Sequence, residues 1–350
     1  MVVSSRVRLA RNIEGAPFMS RISGEQAEEL SQTLRGALLE ASIDGETRWV
    51  TMTEAPAVLR LLLLERNLIS RDLLPRDEHS SAPGRAMAFG ESETVSVMVN
   101  EEDHVRLQAM AAGLDLQLAW ERAEALDRFL EDRVSFATSD RLGYLTGCPT
   151  NVGTGLRASV MLHLPALGMV RQELDKVFAA AQRTGLAVRG MHGEGSRAAG
   201  DLYQISNQVT LGRSEAELID DLRALVPEIV RFERRMRDTL VSEMRQALAD
   251  RIAQSFGTLR TSRAMPTEAA LAHLSSVRLG LHTGIFGGAR MDTLNELALH
   301  VQRGHIQVLA STGDAEDLLD TSERDKLRAS YLRQRLAGVK PSGTDDAPAG

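Results

Sequence analysis

The change of pattern at Ser214 is the feature of this sequence that most constrains its fold. Before Ser214, short segments rich in β-branched residues alternate with helical segments and glycine-rich turns. Ser214 and Glu217 form a capping box, and from there apolar residues keep a helical spacing to about residue 336. The sequence therefore predicts a mixed α+β domain at residues 1–236, an all-helical domain at 237–337 and a disordered, Gly/Pro/Asp-rich tail at 338–350.

Local patterns predict individual elements within the first domain. Ser23 and Gln26 form a capping box that opens an amphipathic helix. Pro227 starts a new helix, or kinks the old one, in the second part. Strands are predicted at 94–99, 134–138, 143–146, 186–189 and 202–206, and helices at 107–120, at 121–133, from about Leu156 and at 168–184.

Composition and charge exclude several functional classes. A net charge of −7 over 350 residues argues against broad nucleic-acid binding, which usually needs a basic domain. The apolar run at 58–64 is too short to span a bilayer, and residues 1–6 have no apolar signal-peptide core. The single cysteine, Cys148, excludes an internal disulfide framework, and zinc-like Cys/His spacing is absent. We therefore expect a cytoplasmic protein with no membrane partner, no direct nucleic-acid partner and no dedicated metal site.

Five arginines are candidates for binding phosphate because each lies at a predicted strand end or beside a glycine turn. Phosphoryl transfer needs such cations, since the transferring group carries charge on three oxygens. A single arginine at such a position is more often a solvated surface charge. All five together favour one anion-binding pocket, because ligands commonly meet the backbone at these places. They are Arg6, Arg8, Arg106, Arg157 and Arg189.

Three segments carry a resemblance to a known family. They are Ser4-Ser5-Arg6-Val7-Arg8, then Asn100-Glu101-Glu102-Asp103-His104-Val105-Arg106, and then residues 143–159, which include Leu-Thr-Gly-Cys-Pro-Thr-Asn. Together they resemble the catalytic segments of guanidino (phosphagen) kinases, and most closely the bacterial protein-arginine kinases of the McsB type. The resemblance is dense over residues 2–236 and thinner beyond. It implies a catalytic domain built on an antiparallel sheet flanked by helices, followed by a helical C-terminal domain.

The resemblance implies three catalytic residues. A guanidinium has a pKa above ~12, so its nitrogen is a poor nucleophile until carboxylates align it. Glu102 and Glu194 match the paired glutamates that clamp the guanidinium, with Glu101 and Asp103 in supporting roles. A lone cysteine is more often a small buried hydrophobe. By resemblance, however, Cys148 lies against the guanidinium as a thiolate, which neighbouring arginines would favour.

The resemblance also implies that ATP, with Mg²⁺ carried by the nucleotide, is the phosphoryl donor. The five arginines would bind its phosphates. The glycines around Gly153 and Gly155 form neither a Walker A loop nor a Rossmann fingerprint. The expected ATP-binding residues are Ser4, Ser5, Arg6, Val7, Arg8, Arg106, Arg157, Ala158, Ser159, Val160, Met161, Arg189, Gly190, Met191, His192, Gly193 and Glu194.

A hexapeptide in the helical domain is a second clue to the type of kinase. Arg324 and Arg328 are four residues apart and so share one helix face, where they could pair a phosphate. Alone, the segment is more simply an ordinary helix with a stabilising acid. It matches an Arg-Asp-x-x-Arg-Ala motif that in McsB-type enzymes forms an allosteric phosphoarginine pocket. Its members are Arg324, Asp325, Lys326, Leu327, Arg328 and Ala329.

The resemblance favours a protein substrate over a free guanidine. Kinases of free arginine or creatine carry a helical domain before the Ser-Ser-Arg-x-Arg segment, and it closes over the small substrate. Here the segment begins at Ser4, so we expect an open site. Thr210 and Met161 stand where those kinases usually have arginine and histidine. Two departures from the McsB type are Asn67, commonly histidine, and Gly147, usually serine.

The implied function is ATP-dependent phosphorylation of arginine residues in proteins, marking them for regulated proteolysis under stress. The implied partners are proteins with exposed arginines, a zinc-binding activator, a Clp-type protease chaperone and a second copy of the chain. Two alternatives stay open. One is a kinase of a free guanidine, and the other is a non-catalytic adaptor that binds phosphoarginine. The presence of all five arginines, both glutamates and Cys148 argues against the adaptor.

Overall fold

The computed structural model describes residues 1–74, 83–190, 199–310 and 318–339. Its centre is an eight-stranded sheet in which every neighbouring pair is antiparallel, in the order β2-β3-β4-β5-β1-β8-β10-β9. A separate two-stranded hairpin is formed by β6 and β7. The strands are β1 (Val2–Arg11), β2 (Arg48–Thr51), β3 (Ala86–Phe89), β4 (Val95–Val99), β5 (Val105–Ala112), β6 (Thr138–Ser139), β7 (Gly143–Tyr144), β8 (Leu156–His163), β9 (Leu186–Gly190) and β10 (Leu202–Asn207).

Strand β1 is the axis of the sheet, since it is hydrogen-bonded to β5 on one side and to β8 on the other. Its side chains alternate between the two faces. Val7 and Leu9 are fully buried in the main apolar core, so Arg6 and Arg8 point to the opposite face. The alternation of β1 therefore assigns one face of the sheet to packing and the other to charge.

Helices form the remainder of the described chain. Capping boxes at Ser23 and Ser214, both predicted from the sequence, are present at the starts of α1 and α6. None of the described helices is long and apolar enough to cross a bilayer. The helices are α1 (Gly24–Glu40), α2 (Ala57–Glu65), α3 (Leu116–Glu131), α4 (Pro165–Met169), α5 (Arg171–Arg183), α6 (Glu215–Thr261), α7 (Thr267–Thr283), α8 (Met291–His300), α9 (Arg303–Ala310) and α10 (Thr321–Arg335).

Helix α6 takes part in two apolar cores. Its first half, as far as Ile229, packs into the main core beside α3 and the buried face of the sheet. Its second half, from Leu248, joins α7, α8 and α10 in a separate core. Pro227 lies inside the helix, and the backbone leaves helical geometry at Met244 (φ −134°, ψ 29°). The chain is therefore a mixed α+β fold followed by a helical region, as the sequence predicts.

Several local predictions are wrong in type or extent. Residues 107–112, predicted as helix, belong to strand β5, and the helix begins only after the Asp115 cap. The helix predicted from Leu156 is strand β8, in which every second residue is fully buried. The helix predicted at 168–184 is interrupted at Val170, between α4 and α5. The strand predicted at 134–138 is reduced to one bridge at Phe136 and the start of β6.

Candidate active site

The register of the sheet brings the candidate arginines onto one face. Arg8 lies opposite Arg157 across β1 and β8, while Ala10 lies opposite Arg106 across β1 and β5. Cross-strand partners share a face, and so do alternate residues of one strand. Gln204 of β10 is paired with both Met161 and Arg189, which extends the same face to β9. Three central strands, β1, β5 and β8, and the edge strand β9 therefore present arginine to a common space.

That space is a cavity of about 420 Å³. Its wall contains all five candidate arginines together with Glu102 and Cys148. The five arginines reach it from β1, β5, β8 and β9, whereas Glu102 and Cys148 come from loops. Cations and a carboxylate thus meet in one pocket. Other residues in the wall are Leu9, Ala10, Asp72, Thr150, Asn151, Gly155, Gly190, Gln204 and Ser206.

The cavity carries uncompensated positive charge. Burial, followed by the charges of Arg106 and Arg157, lowers the pKa of Arg6 to about 10. Burial and the neighbouring arginines also lower the pKa values of Arg8 and Arg157. A guanidinium stays protonated at neutral pH, so the directions of these shifts reflect partly desolvated cations that repel one another. The Nε atoms of Arg8 and Arg189 are buried without a hydrogen-bond partner among the described residues, which fits a set of donors arranged for phosphate oxygens.

Arg106 differs from the other four arginines of the cavity because it is paired with a buried carboxylate. Its Nη1 donates to both carboxylate oxygens of Glu101, at 2.7 and 2.5 Å. Burial alone would lower the pKa of Arg106, but the charge and hydrogen bonds of Glu101 outweigh it and raise the pKa. The hydroxyl of Ser70 also donates to Glu101. Glu101 therefore holds Arg106 in place from behind the cavity wall.

Glu102 and Cys148 lie side by side at the cavity. Burial and the charge of Asp103 raise the pKa of Glu102, while Arg106 and a hydrogen bond with Cys148 oppose the rise. The Sγ atom of Cys148 is also 3.1 Å from Oγ1 of Thr150. A carboxylate with a raised pKa is a better proton acceptor than an ordinary one. The carboxylate of Glu102 could therefore bind a basic group next to the arginines.

The predicted ATP-binding residues divide between the two faces of the sheet. Ser4, Ser159 and Met161 share the arginine face by strand register. Four others point into the core and are fully buried, so only their backbone, which sets the spacing of the strands, can contribute to the site. They are Ser5, Val7, Ala158 and Val160. Ser5 instead donates to the carbonyl of Gly113. The predicted residues Met191, His192, Gly193 and Glu194 lie outside the described residues.

Sequence reasoning missed Gln204, Ser206 and Asp72. Gln204 accepts a hydrogen bond from Arg6 at 3.1 Å, and Ser206 is paired with Ser159 in the sheet. The polar alternation Gln204, Ser206 was the available signal, but its use requires the strand order. Asp72 lies in a short turn after α2 and adds a carboxylate to the wall. Among the residues that the structure describes, no group of three or more His, Cys, Asp or Glu side chains is placed to hold a metal.

The Arg324–Arg328 pair lies on α10, far along the chain from this cavity. Both side chains are buried and already hydrogen-bonded. Arg328 donates to the carbonyls of Val301 and Met265 and to Asp325, at 2.6, 2.7 and 2.6 Å. Arg324 donates to the carbonyl of Leu319 and, at 3.2 Å, to the hydroxyl of Thr321. The two guanidinium groups therefore tie α10 to neighbouring segments.

Comparison with known proteins identifies the family. Residues 29–236 match the model of the ATP:guanido phosphotransferase C-terminal catalytic domain, and residues 245–347 match the protein-arginine kinase McsB C-terminal domain. The protein-arginine kinase of Halothermothrix orenii is 41% identical over 339 residues, covering 96% of this chain and 93% of the relative. The chain belongs to the protein-arginine kinase family. The Bacillus subtilis protein-arginine kinase is 40% identical over 338 residues, covering 96% and 90%.

Solved structures of guanidino kinases share the catalytic fold. The duplicated taurocyamine kinase from Schistosoma mansoni, solved with transition-state analog components, superposes with a TM-score of 0.61 at 26% identity. It covers 75% of this chain, which spans only 38% of that duplicated enzyme. Lombricine kinase gives a TM-score of 0.58 at 27% identity, covering 67% of this chain and 66% of its own. The predicted fold class and the prediction of a phosphotransferase that uses ATP are confirmed.

Proposed function

We infer that this protein is an ATP-dependent protein-arginine kinase, which transfers a phosphoryl group from ATP to the guanidinium of arginine residues in other proteins. The observation that carries the inference is the single cavity in which five arginines meet Glu102 and Cys148. Free cations suit the phosphates of a nucleotide, and a carboxylate beside them suits a guanidinium. A pocket for phosphates does not need the carboxylate, and a pocket for a guanidinium does not need the arginines. Phosphoryl transfer from the nucleotide to the guanidinium accounts for both.

The arginines are assigned to the nucleotide. The five arginines of the cavity would neutralise the phosphate oxygens and hold the γ-phosphorus in line between the attacking nitrogen and the leaving oxygen. They are Arg6, Arg8 and Arg106 from the centre of the sheet, with Arg157 and Arg189. Mg²⁺ would arrive with the nucleotide, since it is usually bound through substrate phosphates. The backbone of strands β1 and β8 fixes the spacing of these cations. Positioning and charge neutralisation, rather than covalent catalysis, supply the rate enhancement.

Glu102 is assigned to the acceptor. Its carboxylate would align the acceptor guanidinium and take the proton that the attacking nitrogen loses. The N–P bond then forms as the bond between the γ-phosphorus and the bridging oxygen breaks, and ADP leaves. Cys148, in contact with Glu102, would set the tilt of the guanidinium without forming a covalent intermediate. Glu194 is proposed as the second carboxylate, on the resemblance alone.

A direct assay separates this function from its alternatives. The protein is incubated with ATP-Mg and an arginine-rich protein, and phosphosites are mapped under conditions that preserve acid-labile P–N bonds. We expect phosphoarginine in the protein substrate. The Glu102→Gln variant should still bind ATP but transfer the phosphoryl group at least about a hundredfold more slowly, a loss of about 3 kcal/mol of transition-state stabilisation. Glu124→Gln, on an exposed surface of α3, is the control and should keep full activity.

Two other results would support the alternatives. Faster phosphorylation of free arginine than of protein would indicate a kinase of a free guanidine. Binding of phosphoarginine without any turnover would indicate an adaptor. The 41% identity to a protein-arginine kinase and the match of residues 245–347 to the McsB C-terminal domain favour the protein kinase.

We further propose that separate parts of the chain have separate functions. Residues 1–236 would catalyse and 237–337 would regulate and dimerise; the predicted tail lies outside the described residues from 340 onward. The gap between the two matched family models, 236 to 245, and the two apolar cores support this boundary. By family resemblance, the enzyme would act in the cytoplasm under stress, with a zinc-binding activator and a Clp-type protease chaperone as partners.

The hexapeptide from Arg324 to Ala329 is proposed as an allosteric phosphoarginine site. Free phosphoarginine should then raise kinase activity or change the oligomeric state, whereas arginine, which lacks the dianion, should do neither. Arg324→Ala with Arg328→Ala should abolish the response and keep basal activity. An unfolding curve of the double variant controls for the loss of the contacts made by Arg328.

A further inference from the structure

The loop that carries Cys148 has little regular structure of its own. It joins β7 to β8 and contains one short 3₁₀ turn, Pro149–Asn151, and a backbone bridge between Gly153 and Tyr144 at its base. Cys148, Thr150 and Asn151 form part of the wall of the cavity. Inside the loop, the hydroxyl of Thr146 donates to the carbonyl of Cys148 at 2.8 Å. A loop moves readily unless further contacts hold it, so the contacts from outside the loop are also needed to fix the thiol.

Asp103 holds the loop on the side before Cys148. Its Oδ1 atom accepts hydrogen bonds from the backbone N–H of Gly147 at 2.5 Å and from Asn12 at 2.6 Å. Asn12 also donates to the carbonyl of Leu145 at 3.0 Å. Asp103 is only 2% exposed, so these bonds are shielded from water. Because Asp103 directly follows Glu102, the contact ties the cysteine loop to the segment that carries the candidate catalytic acid.

Gly147 makes this close approach sterically feasible. A Cβ atom at this position would lie 2.7 Å from the carbonyl oxygen of Glu102, closer than packed atoms come. The residue before the cysteine therefore packs its backbone directly on the acidic segment. A side chain here would require the loop or the acidic segment to shift. Gly147 is thus part of the same contact.

Thr210 holds the loop on the side after Cys148. Its hydroxyl lies 2.6 Å from the carbonyl oxygen of Val152 and 3.0 Å from that of Thr150, and it can donate to either. Gly153 has a φ of +114°, and a Cβ there would lie 2.6 Å from the carbonyl oxygen of Thr210. Thr210 is 4% exposed. The segment after β10 therefore packs against the backbone of the loop without intervening side chains.

We propose that Asp103 and Thr210 are positioning residues that clamp the cysteine loop from its two ends and so hold the Cys148 thiol against Glu102. The proposal rests on the proposed function, in which Glu102 and Cys148 receive the acceptor guanidinium. Neither Asp103 nor Thr210 is among the described residues of the cavity wall, so neither is placed to contact a nucleotide bound there. A displacement of about 1 Å at a reacting group can cost on the order of a hundredfold in rate, which sets the scale of the expected effect.

The test uses Thr210→Val, which keeps the shape and removes the hydroxyl. We expect turnover to fall at least about tenfold, because the loop is released, while the Kd for ATP stays within about twofold. The rate of Cys148 alkylation by iodoacetamide should rise at least about threefold as the thiol leaves its contacts. Since Cys148 is the chain's single cysteine, intact-mass spectrometry follows this rate without interference.

Two further variants make the test selective. Thr210→Ser restores the hydroxyl and should restore both the turnover and the slow alkylation. Thr138→Val, in the exposed hairpin strand β6, is the matched control and should change neither. Asp103→Asn, which removes the charge at the other anchor, should move both quantities in the same direction as Thr210→Val. It also tests the proposal if the valine variant does not fold.

The proposal is overturned if turnover falls without faster alkylation, or if alkylation speeds up without loss of turnover. A large loss of ATP affinity in Thr210→Val would also overturn it, since that would assign the residue to nucleotide binding. Failure of the proposed function is a distinct result. A parent protein that phosphorylates no arginine would refute the kinase assignment, while the alkylation rates would still show whether the two residues hold the loop.

Discussion

Glu101→Gln should make the stability of this protein unusually dependent on nucleotide. Glu101 is the buried carboxylate that pairs with Arg106, and its charge also opposes the lowering of the Arg8 pKa. The substitution keeps the shape of the side chain but removes its negative charge. Arg106 then joins Arg6, Arg8 and Arg157 as a cation without an ionic partner. The folded state without nucleotide would have to hold all of them together.

The magnitude follows from the burial of the pair. The Glu101 side chain is 0% exposed and that of Arg106 20% exposed. Removing one partner of a buried ion pair costs about 3–5 kcal/mol, and the partial exposure of Arg106 favours the lower end, about 3 kcal/mol. Nucleotide at a hundred times its Kd stabilises any protein by about 2.7 kcal/mol. In the variant, the phosphates also replace the missing carboxylate, so we expect an additional gain of about 1–2 kcal/mol from ATP.

Urea unfolding with and without ATP-Mg measures both quantities. The control is Glu124→Gln, which breaks an exposed ion pair with Arg128 and should cost less than about 0.5 kcal/mol, with no nucleotide dependence. Two results would refute the reasoning. One is a Glu101→Gln variant as stable as the parent without nucleotide. The other is an equal stabilisation of parent and variant by saturating ATP, which would mean that the phosphates do not meet this cluster of cations.

Three other predictions test separate parts of the structure. Arg157→Ala should raise the Kd for ATP at least about tenfold and also lower turnover, measured by titration and steady-state kinetics, because a charge-assisted hydrogen bond is lost. Desolvation, followed by the charge of Arg237, lowers the pKa of His282, whose side chain is exposed. The unfolded chain is therefore protonated first, and stability falls modestly as the pH drops below about 6.5; His282→Gln should flatten this fall in urea midpoints. Glu65→Ala removes the acceptor of the Gly304 and His305 N–H groups and should speed hydrogen exchange at the start of α9.

The fold was predictable where local chemistry and tertiary context agree. The capping residues Ser23 and Ser214 start helices because they satisfy free N–H groups wherever they occur. Strand β5, by contrast, is rich in Leu, Gln, Ala and Met, which favour helix in isolation. It is extended because β1 and β4 hydrogen-bond to it on both sides. Strand β1 is roughly a hundred residues away in the chain, so this partner cannot be identified from the local pattern.

The charged residues of the site could be predicted from the sequence, but the residues that position them could not. Period-two alternation and family resemblance together place Arg6 and Arg8 on one face. The contribution of Gln204 depends on β10 pairing with β8, a register set by the whole sheet. The contact of Thr210 with the cysteine loop joins residues some 60 positions apart in the chain. Such contacts follow from the assembled fold, because no short-range pattern encodes them.

Two groups of arginines in this protein differ in how their charge is compensated. Arg11, Arg237 and Arg328 each pair with a carboxylate, respectively Asp127, Glu233 and Asp325, and these arginines brace the fold. Arg6, Arg8, Arg157 and Arg189 have no ion pair among the described residues, and they line the cavity. Arg324 makes no ion pair in the described part of the chain either, because its hydrogen bonds go to a carbonyl and a hydroxyl. A bound phosphate would be neutralised more by Arg324 than by Arg328, because the charge of Arg328 is already paired with Asp325. The Arg324 side chain should therefore dominate any response to phosphoarginine.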